Sequence, residues 1–144
     1  MGTTRSTIRV SDSVAYQEKM LNLVGVRNPS EILAQTASRL EDIAGKHSAA
    51  LLRSRPFEGK WTANEIIGHL TDSEWAYGYR LRLVLSEDAP AILGTKQDLW
   101  VAALRHNERE PSELVEIFRT LRQLNFGSVE KSDTRGFRAH GPAQ

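Results

Sequence analysis

The chain has 144 residues, 40% of them hydrophobic and 26% charged, which is the composition of one ordinary globular domain. It contains no cysteine, and this excludes disulfides, thiolate metal sites and a cysteine nucleophile. The formal net charge is +1, so no charge excess draws the whole protein to nucleic acid or to an anionic membrane.

The distribution of apolar residues predicts a cytoplasmic protein. No run of about 18 apolar residues occurs, which excludes a transmembrane helix. Residues 1–20 also lack the apolar stretch of a signal peptide. We therefore expect a protein of the cytoplasm that binds neither nucleic acid nor membrane.

The first part of the chain is predicted to be a tail followed by a short helix. Residues 1–10 show no helical pattern, whereas residues 11–25 run from Ser11 as a cap to Gly25 as a stop. We expect residues 1–28 to precede a helical domain at residues 29–144.

That domain is predicted to contain three long helices. Apolar residues recur at helical spacing, no stretch alternates like a strand, and Gly45 weakens or ends the first helix. Thr95 is a possible cap for a shorter helix that carries Trp100. The predicted long helices lie near residues 30–53, 62–86 and 111–130.

The second long helix has the best-marked start in the sequence. Thr62 and Glu65 form a T-x-x-E capping box, in which each side chain binds the backbone N–H of the other residue. Gly68 and Gly78 lie inside this helix, where each costs about 1 kcal/mol relative to alanine. They indicate either close approach of another group or simple tolerance.

His69 is the histidine most suited to a site, because its side of the helix faces inward. It is either a hydrogen-bonded core residue or a metal ligand, and Asp72 at i+3 lies within reach of it. Glu74 is expected to point away. We expect the other histidines to be solvated surface residues: His47, His106 and His140. We expect the tryptophans to be buried core anchors: Trp61, Trp75 and Trp100.

One segment resembles a known family. Residues 59–73 read GKWTANEIIGHLTDS, which resembles the G-K-W-[ST]-x-x-E-[IV]-x-x-H-L-x-D-[SA] segment of the DinB-like superfamily. This family consists of metal-binding four-helix bundles and includes the bacillithiol transferase group. Weaker resemblances extend the match to about residues 28–140: Arg80–Ile92, the D-x-W of Asp98 and Trp100, and Arg135–Phe137 followed by His140.

The resemblance implies an all-α bundle with one divalent metal, Ni²⁺ or Zn²⁺, held by three histidines. The first of these would be His69, and the other two would come from an H-x-x-x-H on the last helix. That motif is absent from this sequence. We therefore predict an all-α, DinB-like helical bundle lacking its last helix, with Arg80, Asp98 and Trp100 as further pocket residues.

Two functions remain open at this point. The first is a metal-dependent transferase or hydrolase whose metal site is incomplete in this chain, so that the isolated chain binds no metal tightly and is inactive. The second is a non-catalytic helical interaction protein derived from the same family. In both cases we expect the open face of the bundle to be covered by a second copy, as a homodimer, by a partner helix, or by the N-terminal helix at residues 11–25.

Overall fold

The computed structural model describes the backbone of residues 10–133 and the side chains of residues 14–127. This part of the chain is helical and contains no β-strand, so the all-α prediction is confirmed. None of its helices is both long and apolar enough to cross a bilayer. Its elements are a 3₁₀ turn at His106–Glu108 and six α-helices: α1 (Val10–Val24), α2 (Pro29–Lys46), α3 (Ala49–Leu52), α4 (Ala63–Ser86), α5 (Gln97–Leu104) and α6 (Pro111–Asp133).

The first predicted long helix is two helices. α2 ends at Lys46, and α3 starts after Ser48, whose backbone is extended. The Ser48 hydroxyl accepts a hydrogen bond of 3.2 Å from the N–H of Leu51, as expected of a helix cap. The new cap explains the break, because its extended backbone cannot continue the preceding helix.

The fold consists of two compact units, with the boundary between Thr36 and Ala37. The first unit contains α1 and the beginning of α2. Gly25 ends α1 in the left-handed conformation (φ 61°), and its N–H donates to the Leu21 carbonyl. The second unit contains the rest of α2, the remaining helices and the candidate site.

The hydrophobic core of the second unit lies between α2, α4 and α6. Phe118 and Leu114 of α6 are fully buried at its centre. The Thr71 hydroxyl of α4 also donates to the Leu114 carbonyl over 3.2 Å. Burial of these side chains fixes the register of α4 against α6; the other members of the core cluster are Leu40, Ile67 and Val115.

The predicted start of α4 is confirmed. The Thr62 hydroxyl accepts from the Glu65 N–H at 3.1 Å, and the Glu65 carboxylate accepts from the Thr62 N–H at 2.7 Å. The predicted cap of α5 is wrong, because Lys96 occupies the cap position and its side chain makes no cap hydrogen bond. α5 ends at Leu104, and the next residue, Arg105, takes the left-handed conformation (φ 51°) and leads directly into the His106–Glu108 turn.

Candidate binding site

A buried carboxylate–imidazole pair joins α4 to the turn before α6. Nε2 of His106 and Oδ2 of Asp72 are 2.8 Å apart. Because a carboxylate can only accept, Nε2 is the donor. His106 is 2% exposed, so the expectation that it is a solvated surface residue is wrong.

The His106 ring fits because position 68 is glycine. A Cβ built on Gly68 would lie 2.1 Å from Cγ of His106. The sequence left open whether Gly68 marks a close approach or simple tolerance, and the structure shows a close approach by this imidazole. A larger residue at position 68 would displace the ring or the helix.

The turn that carries His106 is held by the first turn of α4. Asn64 is fully buried, and its Nδ2 donates to the carbonyls of His106 at 2.8 Å and Arg109 at 2.9 Å. The hydroxyl of Thr62 donates to Oδ1 of Asn107 at 2.6 Å. The bonds of Asn64 satisfy two backbone carbonyls, and all three bonds hold the turn that carries the imidazole.

The pair has hydrogen-bonding capacity left over. Oδ1 of Asp72 accepts no hydrogen bond from the described side chains or backbone and is not sealed from solvent. Nδ1 of His106 is sealed and has no partner among the same residues. A buried nitrogen without a partner costs about 1–3 kcal/mol, so the fold tolerates a penalty at this position.

An open pocket of about 610 Å³ lies beside the pair. The polar residues that line it are Thr71, Asp72, His106 and Arg109. Its walls are otherwise apolar and come from α4, α5 and α6: Trp75, Trp100, Ala103, Leu104 and Ile117. An apolar cavity with a few polar groups is the usual character of a small-molecule site.

Two of the three tryptophans are pocket walls, so the expectation that they are core anchors is wrong. Trp75 is 64% exposed and Trp100 is 38% exposed. Both indoles line the pocket, and this leaves much of their surface open. Trp61 is half-buried, and its ring centroid lies 5.0 Å from that of His69 at an interplanar angle of 54°.

His69 is half-buried on α4, next to the pocket but not part of its lining. With Asp72 and Trp100 it borders a hollow of only about 10 Å³. Of the other residues expected in the pocket, Arg80 donates instead to the Leu93 carbonyl at 2.7 Å. Asp98 is exposed on α5 and does not line the pocket.

The described residues do not by themselves fit a tightly held metal ion. They contain no group of three His, Cys, Asp or Glu side chains that could bind one. His69 and Asp72 offer two neighbouring donors, but one oxygen of Asp72 is committed to His106. His140 lies outside the described residues. The role of His69 as a metal ligand therefore stays a prediction.

A second buried polar cluster lies farther along α4 and away from the pocket. Oε1 of Glu74 is 2.6 Å from an Arg122 guanidinium nitrogen, and Oε2 is 3.2 Å from Nδ2 of Asn125. Asn125 also donates to the Glu74 carbonyl at 2.9 Å. A Cβ built on Gly78 would lie 2.4 Å from Oδ1 of Asn125, so this glycine also makes room for a side chain of α6.

Glu65 links the start of α4 to the preceding loop. Burial alone would raise the pKa of this carboxyl group. Hydrogen bonds from Arg55, at 2.8 Å, and from the Thr62 N–H outweigh that effect and hold the pKa of Glu65 below its ordinary value. The carboxylate therefore remains ionised as the pH falls into the acid range.

Comparison with known proteins identifies relatives of this chain. The sequence model of the DinB superfamily matches residues 32–144. Among solved structures, YfiT from Bacillus subtilis is similar, with a TM-score of 0.65 and 18% identity over 90% of this chain and 67% of that one. YfiT is described as a probable metal-dependent hydrolase with an unusual four-helix bundle topology. No curated protein sequence matches.

Proposed function

The chain belongs to the DinB superfamily, and from this premise we propose that it binds a small, largely apolar molecule in the pocket beside Asp72 and His106. We propose further that it acts on such a molecule, as a hydrolase or transferase, only where ligands beyond the described residues join His69 at a Ni²⁺ or Zn²⁺ ion. The ion would supply Lewis-acid chemistry.

The pocket itself is the observation that supports binding. Its volume of about 610 Å³ suits a ligand with one or two rings, and its walls include two indoles. Asp72 and His106 are fixed at one side of the pocket by Gly68 and by the hydrogen bonds of Asn64. A site with rigid polar groups binds with little loss of conformational entropy.

Titration with N-phenyl-1-naphthylamine, a neutral dye that fluoresces in apolar surroundings, tests the proposal. We expect saturable binding of one dye molecule per chain. Ala103→Trp, which fills the pocket, should weaken binding at least about ten-fold. Ala102→Trp is the matched control, because Ala102 is the adjacent exposed alanine of α5 and does not line the pocket. Equal affinity in the two variants would refute the assignment.

The metal-dependent activity needs a separate test. Two donors leave most coordination positions of a divalent ion to water, so the chain alone should hold Ni²⁺ or Zn²⁺ weakly. We expect elemental analysis of tag-free protein, dialysed against a weak chelator, to find far less than one metal per chain. A stoichiometric ion that is lost in His69→Ala and kept in His47→Ala would show that the chain completes the site.

A non-catalytic interaction protein is the second candidate. The exposed indole of Trp75 and the half-exposed Leu104 on the pocket rim support it, because a partner helix or a second copy could cover them. Sedimentation velocity over a range of concentrations tests for a homodimer. Trp75→Arg should abolish self-association, whereas Tyr77→Arg, two residues along α4 and outside the pocket lining, should not.

A further inference from the structure

We propose that the free carboxylate oxygen of Asp72 makes the pocket selective for an apolar molecule that carries a hydroxyl group. This inference rests on the proposed binding function and adds the chemical class of the ligand. It concerns a carboxylate that lines the pocket and requires no metal ion.

The two oxygens of Asp72 differ in their surroundings. Oδ2 accepts the hydrogen bond from Nε2 of His106 at 2.8 Å. Oδ1 has no protein partner within residues 14–127, although the side chain is nine-tenths buried. A carboxylate can accept about four hydrogen bonds, so Asp72 has capacity for a ligand donor.

His106 is the positioning residue for this acceptor. Its ring lies against Gly68, and its carbonyl accepts from the buried Asn64. The imidazole is therefore held in place, and its bond to Oδ2 restrains the carboxylate. This bond leaves Oδ1 without a protein partner among the described residues.

The apolar walls turn this geometry into selectivity. A ligand that fills the pocket displaces water from Oδ1. If the ligand has a donor, the lost hydrogen bond is replaced; if it has none, a partly buried charged oxygen is left unsatisfied, which is the costlier outcome.

The apolar walls, rather than the charged groups, favour a neutral donor. Arg109 also lines the pocket, but its guanidinium is paired with Glu113 at 2.6 Å, so it adds no unbalanced charge. A neutral hydroxyl loses little hydration on entering apolar surroundings, whereas an ammonium ion loses far more. A hydroxylated aromatic molecule therefore matches the pocket.

Two probes of nearly equal shape test the inference, 2-naphthol and 2-methoxynaphthalene, of which only the first has a donor. Displacement of the bound dye gives the affinity of each. In the natural protein we expect 2-naphthol to bind about five-fold more tightly, which is the value of one net hydrogen bond. This comparison needs no variant, so it holds even if substitutions at Asp72 unfold the chain.

Variants then assign the preference to Oδ1. In Asp72→Asn, with folding verified by circular dichroism, the preference should fall below about two-fold, because an amide offers a weaker acceptor than a carboxylate. Asp88→Asn, in the exposed loop after α4, should retain it. Equal affinities in the natural protein overturn the inference and leave the binding function standing; failure of both probes and the dye overturns both.

Discussion

Two buried carboxylates on α4 are placed by the same means and end in different states. Asp72 meets His106 above Gly68, and Glu74 meets residues of α6 beside Gly78. Both oxygens of Glu74 are committed, one to an arginine and one to an amide. Only one oxygen of Asp72 is committed, and this carboxylate borders the pocket.

The difference separates a structural cluster from a candidate site. In the cluster at Glu74, both carboxylate oxygens have partners within the protein. The Arg122 guanidinium also lies over the Phe118 ring, 5.0 Å from its centroid. These contacts hold α4 against α6. In the pair at Asp72, one carboxylate oxygen remains able to accept a hydrogen bond from a ligand. Substitutions in the first cluster should therefore change stability, and those in the second should change stability and binding together.

The largest effect is expected from Glu74→Ala. It removes the carboxylate partner of a largely buried guanidinium, and such changes cost about 3 kcal/mol or more. Urea unfolding should show the loss, while the affinity for the dye stays unchanged in the folded protein. Glu116→Ala is the control, because its ion pair with Arg119 is exposed and should contribute far less to stability. Similar midpoints for the two variants would contradict the comparison.

The two glycines should respond differently to alanine. Gly68→Ala pushes against Cγ of His106, which is close to the backbone and cannot yield, so we expect a loss of about 2 kcal/mol and of dye binding. Gly78→Ala meets Oδ1 of Asn125, the end of a side chain that can turn. Its loss should be nearer 1 kcal/mol, since higher helix propensity offsets part of the strain. If Gly68→Ala still binds the dye, the binding pocket does not depend on the position of His106.

These contrasts show what the sequence reveals and what it does not. The start of α4 was predictable, because the capping box joins Thr62 to Glu65 within one helical turn. The glycines inside α4 were compatible with a close approach or with simple tolerance, and the sequence could not decide between the two. His106 is 34 residues from Asp72, and only the packing of the turn before α6 brings them together.

The tryptophans illustrate a second limit. Apolar residues at helical spacing mark the face of a helix that avoids water, and this holds equally for a core and for a pocket wall. Trp100 follows that pattern but lines a cavity, and Trp75 lines the same cavity. The sequence therefore predicted that the indoles are buried. Their actual exposure depends on how much space the neighbouring helices leave unfilled.

A smaller effect is expected at the cap that supports the His106 turn. Thr62→Val removes the acceptor for the Glu65 N–H and the donor to Asn107, both at a fully buried position. We expect a loss of about 1.5 kcal/mol. Ser48→Ala, at the exposed cap of α3, should cost less, about 0.5 kcal/mol. Thermal unfolding of both variants measures the difference, and an equal cost would show that the link to Asn107 contributes nothing.

The smallest effect concerns acid, and its sign follows from Glu65. Although burial acts to raise its pKa, hydrogen bonds from Arg55 and the Thr62 N–H lower the pKa of Glu65 in the folded protein below the ordinary value of 4.5. The unfolded chain therefore binds a proton at a higher pH than the folded chain does. The stabilisation is complete above pH 4.5 and is lost as the pH falls through the lower, folded-state pKa.

Glu65→Gln measures this contribution directly. The variant should be less stable than the natural protein at neutral pH, and the difference should shrink below pH 4.5. Glu58→Gln, at an exposed loop position, should show no such convergence. Urea unfolding at several pH values between neutral and acid provides the data. A stability difference that stays constant with pH would contradict this prediction. It would mean that the variant is destabilised only by altered hydrogen bonds at the start of α4, and that the charge of Glu65 does not contribute to stability.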